Sequence, residues 1–148
     1  MFKKVLVAVE LTTESAAFVL ERARPFLSAD GELYAVHVVE PQYVQYSFDP
    51  TFTGSLTRAL EKDALDVAAQ RLAELCKPFG IDTDHQIVQL GRVAERLHQL
   101  ASEQPFDLIV IGSHGQEGWR TLLGSTANAV LHGAPVHVAT IRMPRSLT

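Results

Sequence analysis

Short apolar runs alternate with longer amphipathic segments along most of this chain. Apolar, β-branched runs of this kind are typical of strands buried on both faces of a parallel sheet. Segments with apolar residues three and four positions apart are typical of helices that pack on one side. The pattern predicts five strands, at residues 4–9, 32–39, 84–90, 108–111 and 135–141. It predicts four helices between them, at residues 14–27, 56–79, 93–102 and 121–132.

Strand and helix alternate strictly in this prediction. Such an order predicts a single-domain α/β fold over residues 1–148, an open, doubly wound, parallel five-stranded sheet with helices on both faces. The third strand is the least apolar and is expected near an edge. Ligands of such sheets bind at the carboxyl ends of the strands, where the strand order reverses. Glu10, Val38, Gly91 and Gly112 stand at predicted carboxyl ends, so we expect one shared cleft there.

The segments between strands carry further signals. Asp30-Gly31 predicts a turn before the second strand. Residues 41–54, from Pro41 to Gly54, are irregular, and their aromatic side chains could form a functional flap or only pin the segment to the body. These aromatics are Tyr43, Tyr46, Phe48 and Phe52. The long helix has an apolar stripe of Leu60, Ala64, Val67, Ala68, Leu72 and Leu75, and it ends near Pro78 and Gly80.

A glycine-rich stretch follows the fourth strand. Gly112, Gly115 and Gly118 come first, and Gly124-Ser125-Thr126 stands directly before the last helix, which Ser125 or Thr126 could cap. Glycines let a ligand approach the backbone, and a helix N-terminus attracts anions, phosphate above all. The alternative is a purely structural turn. The stretch fits neither the P-loop pattern nor the dinucleotide pattern G-x-G-x-x-G.

Composition and charge exclude several classes of protein. With 47% hydrophobic and 20% charged residues, the 148-residue chain is an ordinary globular domain. Its net charge of −4 and its lack of a basic run argue against nucleic-acid binding. We expect no membrane span, since no segment has enough consecutive apolar residues, and no signal peptide, since Glu10 interrupts the first apolar run. The single cysteine, Cys76, predicts a cytoplasmic protein without an internal disulfide and a buried thiol.

Catalytic and metal-binding patterns are weak in this sequence. Ser113 and His114 are adjacent, so their side chains diverge and do not form a nucleophile–base pair easily, and no G-x-S-x-G motif is present. The six histidines form no H-E-x-x-H motif. His37 and His137 lie in strands and are expected to be satisfied core or interface residues. Arg120 could neutralise a triphosphate or could be a solvated loop charge. We predict that the protein is not an enzyme, although slow hydrolysis of a bound phosphate compound stays open.

Three stretches taken together resemble one known family. They are VAVELT at the end of the first strand, AVHVVE at the end of the second, and IGSHG…LLGSTANAVL followed by PVHVATI. The chain resembles the universal stress protein family, specifically its bacterial UspA type, over essentially its whole length. The resemblance implies a Rossmann-like fold of the adenine-nucleotide α-hydrolase type. It also implies a homodimer paired through the last strand, residues 136–141, which begin with Val136 and end with Ile141.

The resemblance implies a nucleotide site as well. Members of this family that bind ATP carry G-x-x-G followed, after a loop, by G-[ST]. Carried onto this chain, the adenine contacts are Ala8 and Val38, and the ribose contact is Glu10, where the family usually has Asp. The residues carried over for the phosphates, with the neighbouring hydroxyl of the helix start, are Gly112, Gly115, Gly124, Ser125 and Thr126.

Two departures from the pattern leave two functions open. Eight residues separate Gly115 from Gly124, one fewer than in the ATP-binding members, and Glu10 is one methylene longer than Asp. The first hypothesis is a dimeric stress protein that binds ATP, with Mg²⁺, or a related adenine nucleotide as a regulatory ligand. The alternative is a UspA-type protein that binds no nucleotide and acts as a dimeric interaction module with unknown protein partners.

Overall fold

The computed structural model describes residues 1–41, 54–114 and 124–147. Strands and helices alternate along these residues, as the hydrophobic pattern predicts, and short 3₁₀ turns extend several of them. The strands are β1 (Phe2–Ala8), β2 (Leu27–Val39), β3 (Gln86–Leu90), β4 (Leu108–Ser113) and β5 (His137–Arg142). The helices are α1 (Thr13–Ala23), α2 (Gly54–Cys76), α3 (Val93–Glu103) and α4 (Ser125–Leu131).

The five strands form one parallel sheet in the order β3-β2-β1-β4-β5. β1 lies at the centre, where Val7 pairs with Ala35 on one side and with Val110 on the other. The prediction of an open, doubly wound α/β sheet is therefore confirmed. β3 lies at an edge, as its weaker apolar pattern predicts, and β5 forms the opposite edge.

Each face of the sheet carries its own hydrophobic core. Successive strand residues point to opposite faces, so Val5 and Val7 join one core while Leu6 joins the other. The first core includes Leu20 of α1 and Leu72 of α2, and the second includes Leu97 of α3. Helices therefore cover both faces, which explains why the central strands read as continuous apolar runs.

The predicted turn at Asp30-Gly31 is wrong in detail, since both residues lie inside β2. The register between β1 and β2 is irregular there. Phe2 pairs with Leu27 and Lys4 pairs with Glu32, so two steps along β1 match five steps along β2. A bulge of this kind leaves unpaired residues in a continuous strand. The turn-forming residues mark that bulge rather than a break between elements.

Only three of the six residues of the apolar stripe predicted for α2 are buried. The buried residues of α2 are Ala68, Leu72, Leu75 and Cys76, whereas Val67 is 66% exposed. Each helical residue turns by about 100°, so the position before Ala68 faces away from the sheet. Burial raises the pKa of the Cys76 thiol to about 11, so the thiol is protonated at neutral pH and acts as a small apolar group, as expected.

Two predicted helix boundaries are wrong, since α1 ends at Ala23 rather than at residue 27 and α4 begins at Ser125 rather than at residue 121. Gly80 adopts a left-handed conformation, with φ of 66°, after the turn that ends α2. Within the residues described, no helix is long and apolar enough to cross a membrane. The aromatic segment predicted to be irregular lies, apart from Pro41 and Gly54, at residues 42–53, outside the described residues.

Candidate functional site

The order of the strands reverses between β1 and β4. From β1 the chain proceeds outward through β2 to β3, and then returns to the other side of β1 to form β4 and β5. A cleft of about 270 Å³ opens at the carboxyl ends of these two central strands. We call it the switch-point cleft, because ligands of doubly wound sheets bind at such a reversal. Its walls come from the ends of β1, β2 and β4 and from the start of α4.

The structure brings most of the predicted site residues together around this cleft. Gly115 lies outside the described residues, as do Gly118, Trp119 and Arg120. The other predicted residues all line the switch-point cleft, and they are Ala8, Glu10, Val38, Gly112, Gly124, Ser125 and Thr126. They come from positions far apart in the chain, so their convergence follows from the parallel sheet and not from local sequence.

One wall of the cleft is apolar. Ala8, Val36 and Val38 form it from the ends of β1 and β2, and Val93 and Ile111 extend it. His37 also lines the cleft, and its Nδ1 lies 2.8 Å from the backbone oxygen of Val9. His37 is therefore satisfied within the strands, as expected. An apolar surface of this kind suits a group such as a nucleobase.

Backbone and hydroxyl groups at the start of α4 form another part of the cleft lining. Gly124 is the N-cap residue of α4, and Ser125 and Thr126 are its first two helical residues. The prediction that Ser125 or Thr126 caps the helix is therefore wrong, and no side chain makes a cap hydrogen bond. The first backbone bond of the helix runs from the Asn128 N–H to the Gly124 oxygen. The N–H groups before Asn128 thus have no partner within the helix.

Gly124 is also the point where the two ends of the glycine-rich loop meet. Its backbone N–H donates to the buried Oγ of Ser113, with an N–O distance of 3.2 Å. A Cβ atom at this position would lie 3.1 Å from the backbone oxygen of His114. Glycine therefore allows the start of α4 to pack directly on the end of β4. The sequence reveals the glycine but not this contact.

Sequence reasoning missed a pair of side chains at the mouth of the cleft. Nε2 of His114 and Oε1 of Glu10 form a hydrogen bond, with His114 33% exposed and Glu10 56% exposed. The two residues follow β4 and β1, which are neighbours in the sheet. The sequence contained a signal for this pair, because Glu10 and His114 both follow the carboxyl ends of central strands. The adjacency of His114 to Ser113 drew attention to a different pairing.

Arg71 of α2 holds the segment that follows Glu10. Its Nε donates to the backbone oxygen of Leu11 at 3.3 Å, and its Nη2 donates to Oγ1 of Thr13 at 3.0 Å. A salt bridge to Glu74, of 3.0 Å, holds the guanidinium on its own helix. The loop that carries Glu10 is therefore tied to the body of the protein through a side chain on a different element.

Among its described residues, the cleft offers no ready-made metal site. Over the residues that the structure describes, no three His, Cys, Asp or Glu side chains come close enough to hold a metal ion. Glu10 is the acidic side chain among the described cleft residues. A single carboxylate is too few protein ligands for a dedicated Mg²⁺ cage.

Comparisons with known proteins agree with this architecture. Residues 1–142 match the model of the universal stress protein family. The chain is 37% identical over 147 residues to universal stress protein A homolog 2 of Coxiella burnetii, covering 98% of each protein.

Solved structures of low sequence identity share the fold. The hypothetical protein MJ0577 superposes with a TM-score of 0.75 at 20% identity, covering 98% of this chain and 99% of that one. A universal stress protein family protein of Arabidopsis thaliana with AMP bound has a TM-score of 0.60 at 17% identity, covering 99% and 95%. A universal stress protein in complex with cAMP has a TM-score of 0.58 at 19% identity, covering 95% and 96%.

Proposed function

Because the chain belongs to the universal stress protein family, we propose that it binds ATP or a related adenine nucleotide in the switch-point cleft. The observation that carries the proposal is the combination of an apolar wall with a glycine-rich and hydroxyl-bearing end in one cleft at the strand reversal. Two proteins of the same fold have AMP or cAMP bound, which supports an adenine nucleotide as the ligand.

The apolar and the donor-rich parts of the cleft indicate where each part of the nucleotide binds. The adenine ring packs on the wall that contains Ala8 and Val38, because burial of a planar apolar group there removes it from water. The phosphates lie at Gly112, Gly124, Ser125 and Thr126, where the hydroxyls of the last two residues and the unpaired N–H groups of the first turn of α4 can donate. The family pattern assigns Gly115 to the same phosphate-binding set, although this residue lies outside the described residues. Any Mg²⁺ arrives with the phosphates, since the described residues of the cleft offer one carboxylate.

The nucleotide acts as a regulatory ligand and not as a substrate in this proposal. Hydrolysis requires a positioned water and a group that stabilises the transition state. Ser113 is buried and its Oγ accepts the Gly124 N–H, so it is engaged in structure. His114 is paired with Glu10. Binding therefore changes the shape or stability of the protein more than it changes the nucleotide.

Thermal unfolding with and without excess Mg-ATP tests the proposed function. A ligand at about 100 times its Kd adds about 2.7 kcal/mol to the folded state, which corresponds to a rise in Tm of roughly 5–10 °C at this chain length. Mg-GTP at the same concentration is the matched control for nonspecific phosphate effects. An unchanged Tm at millimolar Mg-ATP would show that the glycines serve only the turn, and the role of a nucleotide-free interaction module would then be favoured.

We also propose that two copies of the chain pair through β5. This strand forms an edge of the sheet, and none of its residues is fully buried, although Val138 and Ile141 pack partly on the core. An edge strand offers a row of backbone groups to a second chain. The predicted pairing segment, residues 136–141, overlaps β5 closely.

Proline substitutions in β5 test the dimer. Along an edge strand, alternate N–H groups face the neighbouring strand and the outside. Of Ala139→Pro and Thr140→Pro, one is therefore expected to lower the Tm, and the other to give a folded monomer with half the mass of the parent. Light scattering after gel filtration measures the mass. A parent protein that runs as a monomer would contradict the proposal.

A further inference from the structure

We propose that His114 is a positioning residue, which holds the Glu10 carboxylate so that it accepts hydrogen bonds from the sugar hydroxyls of a bound ribonucleotide. The switch-point cleft then selects ribonucleotides over the corresponding 2′-deoxynucleotides. The inference rests on the proposed nucleotide function and adds to it a specificity for the sugar. Its basis is the hydrogen bond between His114 Nε2 and Glu10 Oε1 across the mouth of the cleft.

Glu10 is the acidic side chain among the described residues of the cleft. The apolar wall at Val38 and the donor-rich end at Gly124 lie on the same cleft as Glu10. In any nucleotide the sugar joins the base to the phosphates, so a base on one end and phosphates on the other bring the sugar between them. A carboxylate accepts hydrogen bonds from hydroxyls and is repelled by phosphate oxygens. Its chemistry therefore fits the hydroxyls of the sugar and not the phosphates.

One imidazole leaves most of the carboxylate available. A carboxylate offers about four acceptor positions on its two oxygens, and His114 contacts Oε1. The remaining positions can accept the 2′-hydroxyl and the 3′-hydroxyl together. The pair is thus compatible with a bound sugar and does not have to break when the ligand enters.

The histidine is itself held in a fixed place. The backbone oxygen of His114 packs against Gly124, and the preceding Ser113 is anchored to the Gly124 N–H. Glu10, in contrast, is 56% exposed and has a long side chain with many rotamers. Restricting such a side chain before the ligand binds lowers the entropy lost on binding. The hydrogen bond from His114 therefore restricts the rotamers of the Glu10 side chain.

The length of the Glu10 side chain allows its carboxylate to reach His114. Aspartate at this position would be one methylene shorter, and its carboxylate would not reach His114 in the same geometry. The chain therefore combines a longer acid with a histidine that holds it. The loss caused by removing His114 is consequently expected only when residue 10 is glutamate.

The test compares affinities for ATP and for 2′-deoxy-ATP, measured by calorimetry on the parent protein and on His114→Ala. A hydrogen bond to a charged group that is lost or disordered costs on the order of tenfold in affinity. We expect the parent to bind ATP roughly tenfold more tightly than 2′-deoxy-ATP. His114→Ala is expected to lose most of that preference, because its affinity for ATP falls while that for the deoxy ligand hardly changes.

Three further variants separate positioning from a general structural role. His114→Gln keeps an N–H donor and is expected to recover part of the sugar preference. Replacing His114 by alanine in the Glu10→Asp background is expected to change little. His132→Ala removes an exposed histidine at the end of α4 and is expected to match the parent. The Tm of every variant shows that the fold is intact.

The outcomes distinguish the inference from the proposed function. A parent protein that binds neither nucleotide overturns the proposed function and, with it, the sugar specificity. A parent that binds both equally well overturns the inference alone. The inference also fails if His114→Ala lowers the affinity for both nucleotides by the same factor. That result would mean that the histidine supports the cleft as a whole and does not position Glu10 for the sugar.

Discussion

Leu72→Ala is expected to lower the free energy of unfolding by about 2–5 kcal/mol. Leu72 is fully buried in the core between α2 and the sheet, so alanine would remove apolar contacts and leave a cavity. The expected fall in Tm is roughly 5–15 °C for a chain of this size. Denaturant unfolding followed by circular dichroism measures the change, and an unchanged slope with denaturant would show that only stability is affected.

Val67→Ala in the same helix is the matched control. The Val67 side chain is largely exposed to solvent. Its truncation is therefore expected to change the free energy of unfolding by no more than about 0.5 kcal/mol. The two variants together test which face of α2 packs on the sheet. If Val67→Ala cost as much as Leu72→Ala, the face of α2 that carries Val67 would have to be buried in solution, and the packing described for this helix would be wrong.

The contrast between these residues shows what the hydrophobic pattern can predict. The runs at Val5–Val7 and Leu108–Ile111 are fully apolar, and strands buried on both faces follow from that property alone. The stripe on α2 is wider than the face that packs on the sheet, since Ala68 is buried and its neighbour Val67 is exposed. Periodicity predicts that the helix is amphipathic but does not fix the width of the buried face, so its placement of Val67 on the core side is wrong.

Local turn chemistry has a similar limit. Asp30-Gly31 predicts a turn that precedes a strand, and the irregularity is real. Whether such residues end a strand or bulge out of it depends on the pairing of the neighbouring strand, here Lys4 with Glu32. That pairing is a tertiary property. Likewise, the sequence predicts a cap at Ser125 or Thr126, although the contact of Gly124 with β4 places the helix start one residue earlier.

The candidate site was predictable to the extent that topology determines it. Carboxyl ends of adjacent parallel strands meet at one edge, so Glu10 and Gly112 had to lie close together once the strand order was known. The hydrogen bond between Glu10 and His114 was not predictable, because it depends on side-chain rotamers at the ends of two strands. The family pattern includes an acid at position 10 but assigned no role to the histidine.

Gly124→Trp is expected to reduce the affinity for adenine nucleotide by more than roughly 100-fold, to below detection at millimolar ligand. A Cβ at this position already lies 3.1 Å from the His114 oxygen, so the indole ring has to project into the cleft or push the loop ends apart. Either change removes contacts to phosphate. Each charge-assisted hydrogen bond contributes about 1.5–3 kcal/mol, and two of them exceed about 100-fold in affinity.

Asn128→Trp is the matched control, because it adds an indole ring to the same helix outside the switch-point cleft. Asn128 lies one turn further along α4 and is exposed. The ring therefore points away from the switch-point cleft, and affinity is expected to stay within about twofold of the parent. Calorimetry gives both affinities, and circular dichroism shows that both variants are folded. If Gly124→Trp bound Mg-ATP as tightly as Asn128→Trp, the phosphates would have to lie elsewhere. The start of α4 would then be a structural junction between β4 and its helix, and the nucleotide site proposed for this cleft would be wrong.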